Sequence, residues 1–511
     1  MLMPARLAPR RTTSPWSLII VVMVGNFMGP LNSSIGNVAL PYLMSSFGAD
    51  VTTIEWVVTG YMLGYSLSMP LAGWLADTFG RRRIYLLGLT AFTGFSFLLT
   101  FAWSTGSLIT LRILQAAGAG MVSPTSMAII TDQISPAERG RALGVWGLGM
   151  MLGPALGPWV GGYLIDQTDS WQAIFLLGLP VGVVGLILAY LLLPHDEERR
   201  TRPFDIVGFV ALTAALTTLL IPLSEGERVG WDDPWVRLSF VCAAVCFAFF
   251  LWWDLRTPSP LLDLSLFRER VFSAAVGLRA VLGLAYYIAL FLLPLFTQQV
   301  LGWTAYQSGA VLVPAGLAMA ALMPISGALS DRIGSRILVI AGMCILAYGT
   351  WLFHTIDLTW STRQIAVDAL VRNAALGLLF IPLTNAALRH VPRHRTGNAS
   401  GIINTVWQVG GSLGVALGQT YLARQTDQHY AILASTATMA RPAVAQYVHQ
   451  LQQLVVADHL AASPALLLYQ LVVRNATVDA YGDTFLLATV VIACAVPLAL
   501  LLGRRSHTHA H

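Results

Sequence analysis

GWLADTFGRR at residues 73–82 and GALSDRIGSR at residues 327–336 share the pattern G-x-L-x-D-x-x-G-x-R. Gly73, Leu75, Asp77, Gly80 and Arg82 recur as Gly327, Leu329, Asp331, Gly334 and Arg336, each copy in a short gap between two long apolar runs. One polar loop repeated in each half of an otherwise apolar chain is the trace that two parallel helical repeats leave in a sequence. Hydrophobic residues make up 56% of the 511, charged residues 11%. Apolar runs long enough to cross a bilayer recur almost end to end, which no soluble core of this size needs, so the chain reads as an all-α, polytopic membrane protein.

Counting runs of about 20 residues gives about fourteen spans, at 17–39, 55–76, 84–103, 107–130, 140–165, 171–193, 204–223, 236–253, 272–298, 306–329, 337–353, 364–388, 398–421 and 485–502. They group as a tail (1–16), a six-helix bundle (17–193), two additional helices (204–254), a connector (255–271), a second six-helix bundle (272–502) and a tail (503–511). The connector carries Pro258, Pro260 and the run LLDLSLFRER, and is amphipathic enough to lie along the membrane face. Within the second bundle, 422–483 is expected as an external loop, with helical periodicity at 442–460 and 464–478, either a lid or a docking surface.

The first span follows Arg6, Arg10 and Arg11 and lacks a cleavage site, so it reads as an uncleaved helix with a cytoplasmic N-terminus. That placement puts Arg81, Arg82, Arg83, Arg139, Arg141, Arg199, Arg200, Arg202, Arg256, Arg268, Arg270, Arg332, Arg336, Arg389, Arg393, Arg395, Arg504 and Arg505 inside. Only Arg228, Arg237, Arg363, Arg424, Arg441 and Arg474 fall outside. The same asymmetry accounts for the basic balance without a nucleic-acid partner. Cys242, Cys246, Cys344 and Cys494 all fall within spans, and the tail histidines have no Cys or carboxylate beside them, so no metal or other cofactor is expected.

In each motif copy the carboxylate stands at the cytoplasmic end of a span, where it can meet an Arg or a neighbouring helix N-terminus. Gly73, Asp77, Gly80, Arg81 and Arg82, with Asp331, Arg332, Gly334 and Arg336, are therefore expected to form a latch between the halves. The fifth span reads GMMLGPALGPWVGG from Gly149 to Gly162, with small residues at four-residue spacing and two prolines. A small face allows close helix approach and prolines bend the helix. Three arginines, Arg112, Arg279 and Arg372, lie inside spans, and intramembrane charge is functional by default. Arg112 and Arg372 occupy corresponding helices of the two repeats and are expected to face a central cavity, whereas Arg279 is close enough to one end to snorkel, with a cavity role as its other reading. Gln115, Asn404 and Gln408 add neutral hydrogen-bonding groups, and Trp407 an aromatic wall.

With RILQAAG at 112–118 and PLLDLSLFR at 260–268, these features resemble the major facilitator superfamily, in particular its fourteen-helix drug:proton antiporters of the EmrB type. The resemblance covers essentially the whole chain. It implies two six-helix bundles plus two extra helices in the bacterial inner (plasma) membrane, with both termini cytoplasmic. It also implies efflux of small amphipathic compounds against protons, and raises a periplasmic membrane-fusion adaptor as a partner for 422–483. By the same resemblance Gly153, Pro154, Gly157, Pro158, Gly161 and Gly162 form the rocking-interface helix, and Arg112 takes part in proton coupling.

Two positions depart from the family pattern. Asn32 stands where the family usually carries Asp, and Trp407 where a related segment often carries Arg. Losing one member of a buried ion pair is costly and losing both can be nearly neutral, so the two departures suggest a compensated pair. Since Asn32 cannot titrate, Glu55 becomes the first candidate for coupling, ahead of Asp132 and Asp368; an interfacial helix-start acid is the other reading of Glu55. The missing acid also shifts the expected cargo from dications toward neutral or anionic compounds. Export of an endogenous metabolite or lipid, or a scaffold or sensor that kept the fold and lost coupling, are the alternatives. No Walker-type loop is present, so an ion gradient is the expected energy source.

Overall fold

A chain crossing hydrocarbon must satisfy its backbone N–H and C=O groups within itself, and long apolar runs do so as helices. The computed structural model describes residues 15–49, 51–135, 138–168, 170–194, 203–389, 391–392, 395–436, 446 and 464–502. Among these residues fourteen long helices follow one another and no strand occurs. In the first half they are α1 (Pro15–Phe47), α2 (Val51–Phe79), α3 (Arg81–Leu99), α4 (Thr105–Gln133), α5 (Arg139–Thr168) and α6 (Gln172–Leu192, with a turn at Leu177). Then come α7 (Ile206–Val229) and α8 (Pro234–Asp254). The second half contains α9 (Arg270–Leu295), α10 (Ala305–Ile333), α11 (Ser335–Trp351), α12 (Thr362–Leu388), α13 (Thr396–Thr436) and α14 (Pro464–Ala495).

Local chemistry sets several starts. Ser104 and Ser107 form a capping box at α4, Thr304 and Gln307 form another at α10, and Asp233 caps α8 ahead of Pro234. Among the described residues ten helices are long and apolar enough to cross a membrane, or up to eleven with the bent α5. The remaining helices, α2, α3 and α13, carry polar or charged residues that dilute the signal, and α2 and α13 spend them on protein contacts.

Packing repeats between the halves. α1 lies on α5, α2 on α4 and α3 on α4; correspondingly α9 lies on α13, α10 on α12 and α11 on α12. The halves meet where α5 packs on α10 and α2 on α13. The two additional helices form a hairpin: the Asp205 carboxylate accepts from Gly208 N–H and from the Trp253 indole, both at 2.8 Å. Phe204 stacks near Trp74, ring centroids 4.7 Å apart, so the hairpin leans on α2.

The core is asymmetric end to end. At the motif end one apolar core runs through both halves and includes Leu18, Trp74, Leu143, Trp146, Met323, Phe380 and Ile402. At the opposite end it divides, into Leu31, Ile35, Leu43 and Phe175 of the first half and Leu292, Phe296, Phe353 and Phe485 of the second. The halves are joined at the motif end and independent at the other.

Two expected boundaries move. The thirteenth span, expected to stop near 421, continues to Thr436, and the last, expected from 485, begins at Pro464. At 41 residues α13 is about 60 Å long, roughly twice the hydrocarbon thickness. Both edges of the segment expected as an external loop are thus extensions of α13 and α14, tied by His429 to Asp483 at 2.8 Å and by Tyr430 against Tyr469. The helix expected at 442–460 and both tails lie outside the described residues. The connector buries Leu261, Leu262 and Leu266 in the common core and makes one short 3-10 helix, Leu264–Arg268. It is packed into the protein rather than simply lying on its face.

Candidate functional site

Each motif carboxylate caps a helix of the opposite half. The Asp77 carboxylate, at the end of α2, accepts from the backbone N–H groups of Gly397 (3.2 Å) and Asn398 (3.0 Å) in the first turn of α13. Asp331, at the end of α10, accepts from Gly140 (3.2 Å) and Arg141 (3.1 Å) in the first turn of α5. The first N–H groups of a helix have no internal partner and carry the positive end of its dipole, so a carboxylate there gains both hydrogen bonds and charge attraction. This reciprocity explains why the motif recurs.

The glycines make the approach possible. A Cβ on Gly73 would come within 2.7 Å of the Gly397 carbonyl oxygen, and one on Gly327 would collide with that of Gly140. Gly80 and Gly334, with φ of 100° and 91°, turn the chain into the next helix through a conformation that L side chains rarely adopt. The copies differ in what backs the carboxylate. Arg81 lies 3.5 Å from Asp77, pairs with Asp132 of α4 and donates to the Ala128 carbonyl at 3.0 Å. Asp331 receives instead the neutral Asn385 amide at 3.2 Å. Arg82 donates to the Tyr190 carbonyl at the end of α6, at 2.5 Å. Asp77 thus has an arginine as its nearest side-chain partner and Asp331 an amide, with the Arg139 charge acting on it as well.

Asn398 was not singled out by the sequence, although it sits beside a conspicuous glycine. Its backbone serves Asp77, its side-chain amide donates to the Leu261 carbonyl (2.7 Å), and its side-chain oxygen accepts from Asp263 N–H (2.8 Å). Arg395 adds an ion pair to Asp263 at 2.8 Å. The connector is thereby bolted to the helix start that Asp77 caps. Asn398→Ala leaves two buried backbone groups unpaired and is expected to cost about 1 to 3 kcal/mol, read as a lower melting temperature in detergent.

The small face of α5 requires a correction. Gly149, Gly153 and Gly157 pack on α1 of their own half: a Cβ at Gly153 would lie 2.5 Å from Leu31 N, and one at Gly157 would collide with the Ser34 hydroxyl. Gly161 faces Ile35, and Gly162 has open space. Pro154 is half-buried, and the Pro158 side chain is outside the described residues. Residues of α5 that meet the opposite half include Gly140, Gly144, Gly147 and Ala155, against Gly327, Pro324, Met323 and Gly316, together with Arg141 and Trp146. Spacing revealed a close contact without revealing which neighbour makes it.

Midway along the helices the expected polar residues fall into two groups. In the first half, fully buried Arg112 donates to the Asn32 side-chain oxygen, to the Asn32 carbonyl (3.1 Å) and to Gln115 (2.8 Å). Gln115 donates on to Ser96 at 2.6 Å, and the Arg112 guanidinium lies 4.3 Å from the Tyr61 ring centre. In the second half Arg372 donates to Asn373 (3.1 Å) and to the Ala285 carbonyl. Arg112 and Arg372 thus each engage a carbonyl on the first helix of their own half. Gln408 accepts from Tyr287 at 3.1 Å, and the Asn404 amide donates to Ser400 at 2.8 Å.

Trp407 packs with Phe380, Tyr286 and Tyr287, ring centroids 5.2, 5.5 and 6.0 Å away, and with Arg279. Asn32 and Trp407 therefore have separate partners, and the expected compensated pair is not formed: the natural mate of an acid at position 32 is Arg112. Arg279 does not snorkel either. It is 1% exposed, donates to Phe380 O (3.1 Å) and Thr384 (3.2 Å), and lies 3.4 Å from the Phe380 ring centre. No ion pair among the described residues involves Arg112, Arg279 or Arg372. Glu55 lies near the start of α2 with its side chain outside the described residues, Asp132 belongs to the Asp77 latch, and Asp368 sits a turn before Arg372 on α12.

Comparison with known proteins bears on the whole arrangement. The chain is 30% identical over 502 residues to the uncharacterized MFS-type transporter YhcA of Bacillus subtilis, covering 96% of this chain and 94% of that one. It is 33% identical to the multidrug resistance protein B homolog of Mycobacterium tuberculosis (82% and 78% covered) and 29% identical to the multidrug export protein EmrB of Escherichia coli (86% of each). A solved structure, the human organic anion transporter MFSD10 (TETRAN), superposes with a TM-score of 0.60 over 94% of this chain and 100% of that one. At 17% identity that likeness speaks to the fold alone. The family model of the Major Facilitator Superfamily matches residues 22–415, and the chain, with its two repeated bundles and reciprocal latches, is a transporter of that superfamily.

Proposed function

We propose that this transporter is a secondary exporter of small amphipathic, toxic compounds, working by alternating access and driven by inward proton flow across the bacterial inner membrane. The observation that supports this reading best is the reciprocal capping of α13 by Asp77 and of α5 by Asp331. Such contacts hold one end shut in one state only, as rocking of two bundles about a midplane site requires. The arginine asymmetry supports a cytoplasmic motif end. The state described is then closed to the cytoplasm. The resemblance of relatives named as multidrug export proteins supports the cargo class. The outward extensions of α13 and α14 are the surface on which a periplasmic membrane-fusion adaptor would dock.

Uptake of a fluorescent amphipathic dye into inverted vesicles, driven by an imposed pH gradient, tests the reading. Wild-type vesicles are expected to accumulate the dye and to lose that accumulation with a protonophore. Glu55→Gln keeps shape and removes the proton site, and is expected to reduce pH-driven uptake at least tenfold. Unchanged pH dependence in that variant would move coupling to Asp132 or Asp368; no gradient-dependent uptake by the wild type would leave the scaffold reading.

A further inference from the structure

Among the three arginines buried within spans, Arg279 leaves the most unused. Arg112 has Nε on the Val57 carbonyl (3.4 Å) and both terminal nitrogens engaged, and Arg372 has both terminal nitrogens engaged and only Nε unpartnered. Arg279 satisfies only Nη1, while Nε and Nη2 are buried without a hydrogen-bond partner. Those two atoms form one edge of the guanidinium, with parallel N–H bonds spaced to receive the two oxygens of a carboxylate. Phe380 and Trp407 hold the group at 3.4 and 4.9 Å from their ring centres.

Among the described residues no acid reaches this edge. α9 contains no Asp or Glu, the only acid of α12 is Asp368, about three turns from Phe380, and the first acid of α13 is Asp427, beyond the membrane. The other half packs against the same wall. Trp146 of α5 lies over Phe380, ring centroids 6.5 Å apart, and Gly147 meets Ile381 and Met323. Parting α5 from α10 at the motif end removes that cover.

We propose that Arg279, with Phe380 and Trp407, is a receptor for the carboxylate of an amphipathic aromatic acid, filled from the motif side when the latches release. The inference rests on the exporter reading and narrows its cargo. Two N–H groups of Arg279 bind the two carboxylate oxygens, and Trp407, Tyr286 and Tyr287 receive the aromatic body. When α5 returns over Phe380 the receptor is shut from the motif side, so the ligand is released to the other.

The test compares 2-naphthoate with its neutral isostere 2-naphthamide, by equilibrium dialysis against the purified full chain in detergent. The wild type is expected to bind the acid at least tenfold more tightly than the amide. Arg279→Gln should abolish that ratio, and Arg279→Lys, which keeps the charge without the fork, should leave an intermediate one. A wild-type ratio near one overturns the proposal, as does an unchanged ratio in Arg279→Gln, which would assign the charge to Arg112 or Arg372. Dye uptake in vesicles is read separately: its absence with an intact binding ratio counts against export alone, and its presence with no ratio counts against the anion receptor alone.

Discussion

Replacing Asp77 by Asn is expected to abolish transport while leaving the protein folded and inserted. The Asn side chain offers one acceptor oxygen to two backbone N–H groups, turns its own amide toward the other, and removes the charge that faces the α13 dipole. Hydrogen bonds to charged groups contribute about 1.5 to 3 kcal/mol. A loss of roughly 2 to 4 kcal/mol would shift the balance between closed and open motif ends by about 30- to 1000-fold. The shift is measurable directly. Ser400, fully buried beside the α2–α13 contact, becomes Cys in a background lacking the four native cysteines. A membrane-permeant thiol reagent should label it slowly with Asp77 present and at least tenfold faster in Asp77→Asn. Equal labelling rates, or full transport by the variant, would remove the latch assignment. Asp331→Asn is expected to do less, since Asn385 already gives that latch a neutral partner that can reorganise.

The helix capping at the motif was readable because its chemistry is local. A turn that needs positive φ at Gly80, a helix end, and a carboxylate three residues earlier are written consecutively, and the second copy repeats the pattern. The number of long helices was readable for a similar reason, since each apolar run folds as one helix, although only ten or eleven among the described residues are apolar enough to cross a membrane. The rest depends on neighbours. Gly153 and Gly157 advertise close packing, but a helix exposes several faces, and nothing in four-residue spacing says that α1 rather than the opposite bundle takes that face. Asn398 carries its meaning only because the connector returns to the start of α13. The long extension of α13 was read as a loop because hydropathy falls once the helix leaves the bilayer, although helix propensity does not. Arg279 was expected to snorkel because its distance from the span end permits it, yet Phe380 and Trp407 close over it.

The same dependence on neighbours reverses the expectation for positions 32 and 407. Asn32→Asp places a carboxylate against Arg112, whose burial is already part of the wild-type fold, so the new charge compensates one that stands alone. Stabilisation of about 1 to 3 kcal/mol is expected, below the 3 to 5 kcal/mol lost when such a pair is broken from an optimised structure. Trp407→Arg has the opposite sign and a larger size. It removes the indole that stacks on Arg279 and puts a second guanidinium within the same aromatic enclosure, with no acid among the described residues to absorb it. An uncompensated buried charge of this kind is expected to cost about 3 to 5 kcal/mol. Because the two positions touch different arginines in different halves, their effects should add to within about 0.5 kcal/mol. Detergent melting of the wild type, both single variants and the double variant measures all three quantities. A coupling above about 1 kcal/mol would restore the idea that Asn32 and Trp407 descend from one ion pair, and a destabilised Asn32→Asp would show that Arg112 is satisfied by neutral groups alone.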